Sequence, residues 1–358
     1  MLNKVIISGG GTGGHIFPAI AIANEIKRRY PNCQILFVGA QNKMEMEKVP
    51  EAGYEIIGLP IIGIQRKLRI SNLWVPIKFL KSIYKAKRII KSFKPDKVVG
   101  VGGFASSALI YAASTQKIPI LIQEQNSYAG LTNKWMANKS SRICVAYEGM
   151  EKFFPKDKIV ITGNPVRESI HKAIHSLKTE SKVKLGFDES MPLVLVIGGS
   201  LGARSINTSI QHAIRVLHAN GIQVLWQTGK MFNADTYGLR GVQAHTFIND
   251  MATAYSGADI VVSRAGAISV SEICLLNKPS ILVPFPTAAE DHQKKNASAL
   301  SENDAAILVK DSDASEQILH EIINLISNPE LQNKMQVNLK RFAKPDALKN
   351  IVDELDNM

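Results

Sequence analysis

The chain has 358 residues, 45% hydrophobic and 21% charged, which fits two globular domains and excludes a disordered or fibrous protein. Its N-terminal apolar run reads as too short for a signal peptide, no stretch reaches the ~20 uncharged apolar residues of a membrane span, and three scattered cysteines without Cys-x-x-Cys argue against a disulfide framework or a zinc site. The net charge of +12 is uneven, since residues 1–164 hold 24 Lys and Arg against 10 Asp and Glu while the remainder sums to −2, so the first half is expected to face something anionic, either nucleic acid or a membrane surface.

Val5–Ser8 reads as a buried strand. It runs into Gly9-Gly10-Gly11-Thr12-Gly13-Gly14-His15, and Pro18–Tyr30 follows as an amphipathic helix. Backbone amides at such a helix N-terminus bind anions, and glycine lets a phosphate approach closely. A tight strand-to-helix turn is the competing reading. His15 stands at this N-terminus, where the helix dipole favours the neutral imidazole; it serves either as a general base or as a hydrogen-bonding support for the loop. Gly9, Gly11 and Gly14 formally satisfy G-x-G-x-x-G. The second strand, Gln34–Gly39, ends in Val38-Gly39-Ala40-Gln41-Asn42 with no carboxylate at its tip for a ribose, so a nicotinamide enzyme is set aside.

From Ile61 to Lys94 there are ten Lys and Arg and no Asp or Glu. Ile64, Leu68, Leu73, Trp74, Val75 and Phe79 interleave with cations that include Lys78, Lys81 and Lys85. Cations beside apolar side chains suit the surface of an anionic leaflet. Three other readings compete: Ile77, Leu80, Ile83, Tyr84, Ile90 and Phe93 as a core-facing helical stripe, the lysines as a solvated face, and nucleic-acid binding. No nucleic-acid motif or aromatic ladder accompanies the charge, so the membrane is the expected partner and nucleic acid is not.

Lys97–Val101 is a further strand leading into Gly100-Val101-Gly102-Gly103-Phe104, and Ile118–Gln123 is another, ending in Glu124-Gln125-Asn126. Strand-end amides read sugar hydroxyls or cap loops. Asn164-Pro165 marks a boundary, because the residue before proline avoids helix and proline suits a first helical turn. Arg167 beyond it offers a fork for phosphate or an inter-domain salt bridge.

The strand–glycine–helix layout then restarts. Leu193–Ile197 leads into Gly198-Gly199-Ser200-Leu201-Gly202-Ala203, and Val224–Trp226, Ile260–Ser263 and Ser280–Pro284 are later strands. Strands alternating with helices imply parallel sheets covered on both faces, with ligands at the carboxyl ends of the strands. Ser263–Glu272 makes another helix N-terminus, where Glu272 accepts from ribose hydroxyls or complements the helix dipole. Asp291-His292-Gln293 lacks a second cluster at metal-ligand spacing, and Asp311-Ser312-Asp313 reads as a solvated turn. Residues 330–358 read as helical with a break at Pro345.

Gly10–His15, Glu124-Gln125-Asn126 with Ala129-Gly130-Leu131-Thr132-Asn133, Gly163-Asn164-Pro165-Val166-Arg167, Gly198–Ala203 and segment 263–272 occur together in this order. Over nearly the full length the chain thereby resembles the peptidoglycan N-acetylglucosaminyltransferases of glycosyltransferase family 28. The resemblance implies an α/β fold of the GT-B type: two doubly wound Rossmann-like domains facing a cleft. Residues 1–163 would form the acceptor- and membrane-binding domain, with a helix at about 344–358 packing back, and residues 164–343 the UDP-sugar domain.

It further implies inverting, metal-independent transfer from UDP-N-acetylglucosamine to the C4 hydroxyl of undecaprenyl-diphospho-muramoylpentapeptide, lipid I to lipid II, without cofactor. The location would be peripheral, on the cytoplasmic face of the cell membrane, with other cell-wall synthesis proteins as further partners. By the same resemblance His15 is the base. Thr12, Gly13, Gly14, Asn126, Arg167, Ser200, Ile248, Ala267, Ile268, Ser269, Val270, Ser271, Glu272 and Gln293 contact the donor, Ile248 through its backbone and Glu272 at the ribose. Gly13, Gly14, Gly102 and Gly103 meet the acceptor diphosphate. Gln123 stands where many relatives carry a histidine, and the 291–296 stretch departs from some relatives by its length and its single glutamine. The competing activities are another GT-B transferase with a lipid acceptor such as diacylglycerol, a nucleotide-sugar epimerase, and a non-enzymatic membrane-surface module.

Overall fold

Val5-Ile6-Ile7 and Val98-Val99 are apolar on both sides of the pleat, and such runs settle where helices cover both faces of a parallel sheet. The computed structural model describes residues 2–61, 74–199, 201–288 and 291–358, without the side chain of Trp74. Ile64, Leu68, Leu73, the Trp74 side chain and Ser200 therefore lie outside the described residues. The chain divides into two compact units, Met1–Arg167 with Asp346–Met358, and Glu168–Pro345.

The strands of the first unit are β1 (Lys4–Gly9), β2 (Gln34–Ala40), β3 (Glu55–Leu59), β4 (Lys97–Gly102), β5 (Ile120–Glu124), β6 (Arg142–Val145) and β7 (Ile159–Ile161). They pair in parallel in the order β3-β2-β1-β4-β5-β6-β7. The order reverses between β1 and β4, the position where open α/β sheets bind ligands. Helices α1 (Gly13–Arg29), α2 (Glu45–Glu51), α3 (Trp74–Phe93), α4 (Phe104–Thr115) and α5 (Leu131–Met136) complete this part of the chain. Alternate strand residues feed two cores: Val5, Ile7, Val99 and Leu121 pack with Ile16, Ile22 and Ile26 of α1, while Ile6, Val98 and Ile122 pack with Ile83 and Ile90 of α3 and Leu109 of α4.

The second unit holds β8 (Leu193–Ile197), β9 (Gln223–Gln227), β10 (Val242–His245), β11 (Ile260–Ser263), β12 (Ser280–Leu282) and β13 (Ile307–Leu308). They are parallel in the order β10-β9-β8-β11-β12-β13, reversing between β8 and β11. Helices α6 (Glu168–Lys172), α7 (Lys178–Lys184), α8 (Arg204–Ala219), α9 (Met251–Gly257), α10 (Ala267–Leu275), α11 (His292–Ser301), α12 (Ala314–Ser327) and α13 (Pro329–Leu339) surround the sheet. Both units are thus doubly wound, as the strand and helix signals predict. β3, β6, β7, β10 and β13 are additions to the sequence reading, each two to five residues long and too short to carry a period.

Helicity stops at Leu339 and resumes in α14 (Ala347–Asp356), so Pro345 falls in a break. Ile351, Val352 and Leu355 of α14 enter the core beneath α1. Arg29 pairs with Asp353 at 2.5 Å and Tyr30 Oη donates to Asp356 at 2.8 Å. The units divide after Arg167, so Asn164–Arg167 closes the first unit and does not open the second. The cause is local: buried Asn164 donates from Nδ2 to Gln125 O at 2.9 Å and accepts from Gln123 Nε2 at 3.1 Å. The three cysteines are free and buried, and burial pushes the Cys144 and Cys274 thiols up to about 12. Among the described residues no helix is long and apolar enough to cross a membrane, and no three acidic, histidine or cysteine side chains gather as a metal site.

Candidate functional site

In the first unit the glycine loops after β1 and β4 stand side by side at the reversal of strand order. Gly102 and Gly103 have φ of +111° and +88°, a region that favours glycine. A Cβ on Gly103 would lie 2.5 Å from Gly10 O, and one on Gly102 would lie 2.8 Å from Cδ2 and Nε2 of His15. Any side chain there would separate the loops and dislodge the imidazole. His15 is half-buried, and its Nδ1 lies 3.0 Å from Gly10 O. A carbonyl only accepts, so Nδ1 carries the proton in this bond, and the neutral ring keeps its lone pair on Nε2. Thr12 is the N-cap of α1, and the helix carries no acid in its own first turn.

Beside this loop, at the end of β5, Glu124 is 1% exposed and organises its neighbours. Its Oε1 accepts Asn126 N at 3.1 Å and Asn126 Nδ2 at 3.2 Å; its Oε2 accepts Gly130 N and Asn133 Nδ2, both at 2.9 Å. Asn126 is therefore aimed by a buried acid. Gln125 Nε2 donates to Val101 O at 2.9 Å, and Gln123 is fully buried among these amides. Gln123 has no surface to offer a substrate, and its side chain is bonded to those of Asn164 and Gln125. Arg167 is half-buried at the end of the unit.

One expectation from sequence changes. A carboxylate does reach the tip of β2: Glu45, at the head of α2, accepts Ala40 N and Gly11 N, both at 2.9 Å, and is fully buried. It is enclosed among backbone amides, where no ribose can reach it.

In the second unit, loops after β8, β11 and β12 converge on the other reversal. Buried Gln227 donates from Nε2 to Gly199 O at 3.0 Å and accepts Ile248 N at 2.9 Å through Oε1. The Ile248 amide is thereby engaged, so any base readout through this residue's backbone falls to its carbonyl. Arg264, 9% exposed, donates to Val283 O at 3.1 Å, Pro284 O at 3.2 Å, Asp311 Oδ1 at 2.5 Å and Ser205 Oγ at 3.1 Å. Asp311 is thus a structural partner, correcting its reading as a solvated turn. Asn296 Nδ2 donates to Ala265 O at 3.3 Å, and Gln293 Oε1 accepts Phe285 N at 2.9 Å, which leaves the Gln293 amide group as a donor.

Gly266 caps α10. Ala267, Ile268, Ser269 and Ser271 are half-buried on its first turns, and Val270 and Glu272 are buried. Ser271 Oγ donates back to Ala267 O at 3.0 Å. Sequence reasoning assigns no role to Glu45, Gln227 or Arg264 and takes Asp311 for a turn, because each meets a partner distant in the chain.

On α3, Ile83 and Ile90 are buried and Phe79 packs at the edge of the core. Ile77, Leu80 and Tyr84 are exposed, at 45%, 66% and 66%. Lys81, Lys87, Arg88 and Lys91 are exposed too, Val75 and Lys78 are half-buried, and Lys85 Nζ donates to Gly58 O at 2.8 Å. The core-facing stripe is therefore narrower than helical spacing suggests, and the outer face mixes apolar and cationic groups without an acid.

The glycosyltransferase family 28 N-terminal domain matches residues 5–145, and the glycosyltransferase family 28 C-terminal domain matches residues 193–351. The chain is 52% identical over 354 residues, 98% of its length and 96% of the relative's, to the UDP-N-acetylglucosamine--N-acetylmuramyl-(pentapeptide) pyrophosphoryl-undecaprenol N-acetylglucosamine transferase of Cytophaga hutchinsonii. It is 50% identical over 358 residues, 98% of its length and 97% of the relative's, to the protein of the same description from Parabacteroides distasonis. Among solved structures, Acinetobacter baumannii MurG superposes with a TM-score of 0.80 at 30% identity, covering 99% of this chain and 100% of that one.

Proposed function

The chain belongs to glycosyltransferase family 28, and on that premise we propose that it converts lipid I to lipid II. N-acetylglucosamine passes from UDP to the C4 hydroxyl of undecaprenyl-diphospho-muramoylpentapeptide with inversion. The observation that carries this reading is identity of about half the residues, over 98% of the chain, with transferases described by that reaction. It disfavours an epimerase or a diacylglycerol transferase, which the fold alone would leave open.

The step is a single displacement. Nε2 of His15 takes the proton of the C4 hydroxyl as its oxygen bonds to the anomeric carbon. The bond from that carbon to the β-phosphate oxygen breaks, and its electron pair leaves with UDP. Arg167 and the amides at the N-terminus of α8 stabilise the growing negative charge without a metal. In the second unit, Glu272 takes the ribose, the Ile248 carbonyl the uracil, and the Gln293 amide group a sugar hydroxyl. Ser200, Ala267, Ile268, Ser269, Val270 and Ser271 line the donor. In the first unit, Thr12, Gly13, Gly14 and Asn126 meet the donor, and the amides of Gly13, Gly14, Gly102 and Gly103 meet the acceptor diphosphate. The outer face of α3 rests on an anionic leaflet, which makes the protein peripheral on the cytoplasmic face of the membrane; partnership with other cell-wall proteins rests on the family resemblance.

The test is UDP release from UDP-N-acetylglucosamine in excess EDTA, with and without a soluble lipid I analogue. Acceptor-dependent release is expected. Release that needs diacylglycerol, or epimerisation without acceptor, overturns the reading. His15→Ala lowers kcat about 100-fold or more with donor binding intact; unchanged turnover removes His15 from the mechanism.

A further inference from the structure

Glu45 belongs to no motif, yet its carboxylate fills the space where Gly10 and Gly39 would place side chains. A Cβ on Gly10 would come within 2.2 Å of its Oε1, and one on Gly39 within 2.6 Å of the Cγ that carries the carboxylate. Its Oε2 accepts the amide of Gly11 at 2.9 Å. That amide shares one peptide group with the Gly10 carbonyl, and the same carbonyl receives Nδ1 of His15 at 3.0 Å. Carboxylate, peptide group and imidazole therefore stand in one unbroken chain of hydrogen bonds. The Ala40 amide holds the other carboxylate oxygen at 2.9 Å, and the Gly103 backbone stands so near the Gly10 carbonyl that a Cβ there would lie 2.5 Å from its oxygen.

We propose that Glu45 is a positioning residue for the transfer. Through the Gly10–Gly11 peptide it holds His15 in the tautomer protonated at Nδ1 and stabilises the imidazolium that forms when Nε2 takes the acceptor proton. The inference rests on His15 as the base in the reading above. A carboxylate on a peptide N–H makes the carbonyl of that peptide a stronger acceptor, by roughly 10–30% per bond in a chain. In serine hydrolases the carboxylate touches the imidazole itself. Here the interposed peptide keeps the acid buried and out of competition with an anionic substrate, while its orientation still reaches the ring.

Glu45→Gln keeps the shape and removes the charge, and its amide group turns a donor toward one of two N–H groups. Nitrogen-15 NMR of the wild type is expected to show His15 protonated at Nδ1 and bare at Nε2 in the neutral ring. In Glu45→Gln the two tautomers mix, kcat falls about tenfold or more, and KM for UDP-N-acetylglucosamine stays within about twofold. A folded variant with the wild-type tautomer and kcat overturns the proposal. Should the variant fail to fold, the wild-type spectrum decides: His15 protonated at Nε2 refutes the relay, and Nδ1–H coupled to Gly10 supports it. Failure of the base reading is separate, since it appears as undiminished turnover in His15→Ala.

Discussion

Gln227 spends both ends of its side-chain amide on loops that the glycine motifs only outline, one end on Gly199 O and the other on Ile248 N. Gln227→Leu leaves a buried carbonyl and a buried amide without partners, at about 1–3 kcal/mol each. Both loops lie on the proposed donor side, so KM for UDP-N-acetylglucosamine is expected to rise about tenfold or more, with a smaller change in kcat, in steady-state kinetics at saturating acceptor. Lys278 carries a different prediction. Its Nζ donates to Ser256 O and Ala258 O at 3.1 and 2.8 Å, yet burial above all, with the nearby charge of Lys178, lowers its pKa from 10.5 to about 8. Between these values the unfolded chain holds a proton that the folded chain lacks, so this residue makes stability rise with pH across that window. Thermal melts at pH 8 and pH 10 check it: the gain in Tm of the wild type exceeds that of Lys278→Met. Residue type decides how much of this is legible. Gly102 and Gly103 announce themselves because few residues other than glycine adopt their φ at such close approach. Gln227 and Glu45 are ordinary residue types whose partners lie 21 and 34 positions away, and no spacing rule reaches that far.

At the scale of the element, α3 shows what periodicity can and cannot separate. Apolar spacing of three and four identifies the helix, and Ile83 and Ile90 do face the core. Ile77, Leu80 and Tyr84 satisfy the same spacing and remain exposed, because a stripe drawn through one helix does not reveal how wide a neighbour will cover it. β3 leaves little trace in the sequence for a related reason: Gly58 interrupts Glu55–Leu59, so its alternation is too short to carry a period. The exposed face of α3 bears on the proposed membrane contact. Lys81, Lys87 and Lys91 point outward, while Lys85 is tied to Gly58 O. Reversing the first three to Glu is expected to weaken sedimentation with phosphatidylglycerol vesicles by about 1 kcal/mol or more per residue. Turnover of a water-soluble acceptor analogue stays near wild type. Undiminished vesicle binding rules this face out as the membrane contact.

At the scale of the molecule, chain order and unit membership diverge. The last thirteen residues, Asp346–Met358, belong to the first unit although residues 168–345 of the second intervene. Their attachment combines apolar burial and charge. Ile351, Val352 and Leu355 enter the core with Ile16, Ile22 and Ile26 of α1, Lys97 Nζ donates to the carbonyls of Leu355 and Asp356, and Arg142 pairs with Glu354 at 3.3 Å. Fully burying three such aliphatic side chains is worth about 1.5–3 kcal/mol each, a large part of the stability of a single domain. A chain ending at Pro345 is therefore expected to melt in two steps, with the first unit displaced to lower temperature and the second unchanged. UDP supplies the internal standard. If it is held by the second unit, ligand at about 100 times Kd adds about 2.7 kcal/mol to that unit and moves only the upper transition. Calorimetry of the full and shortened chains, each with and without UDP, assigns each transition to its unit. A single transition that shifts as a whole under both changes would mean that the two units unfold as one.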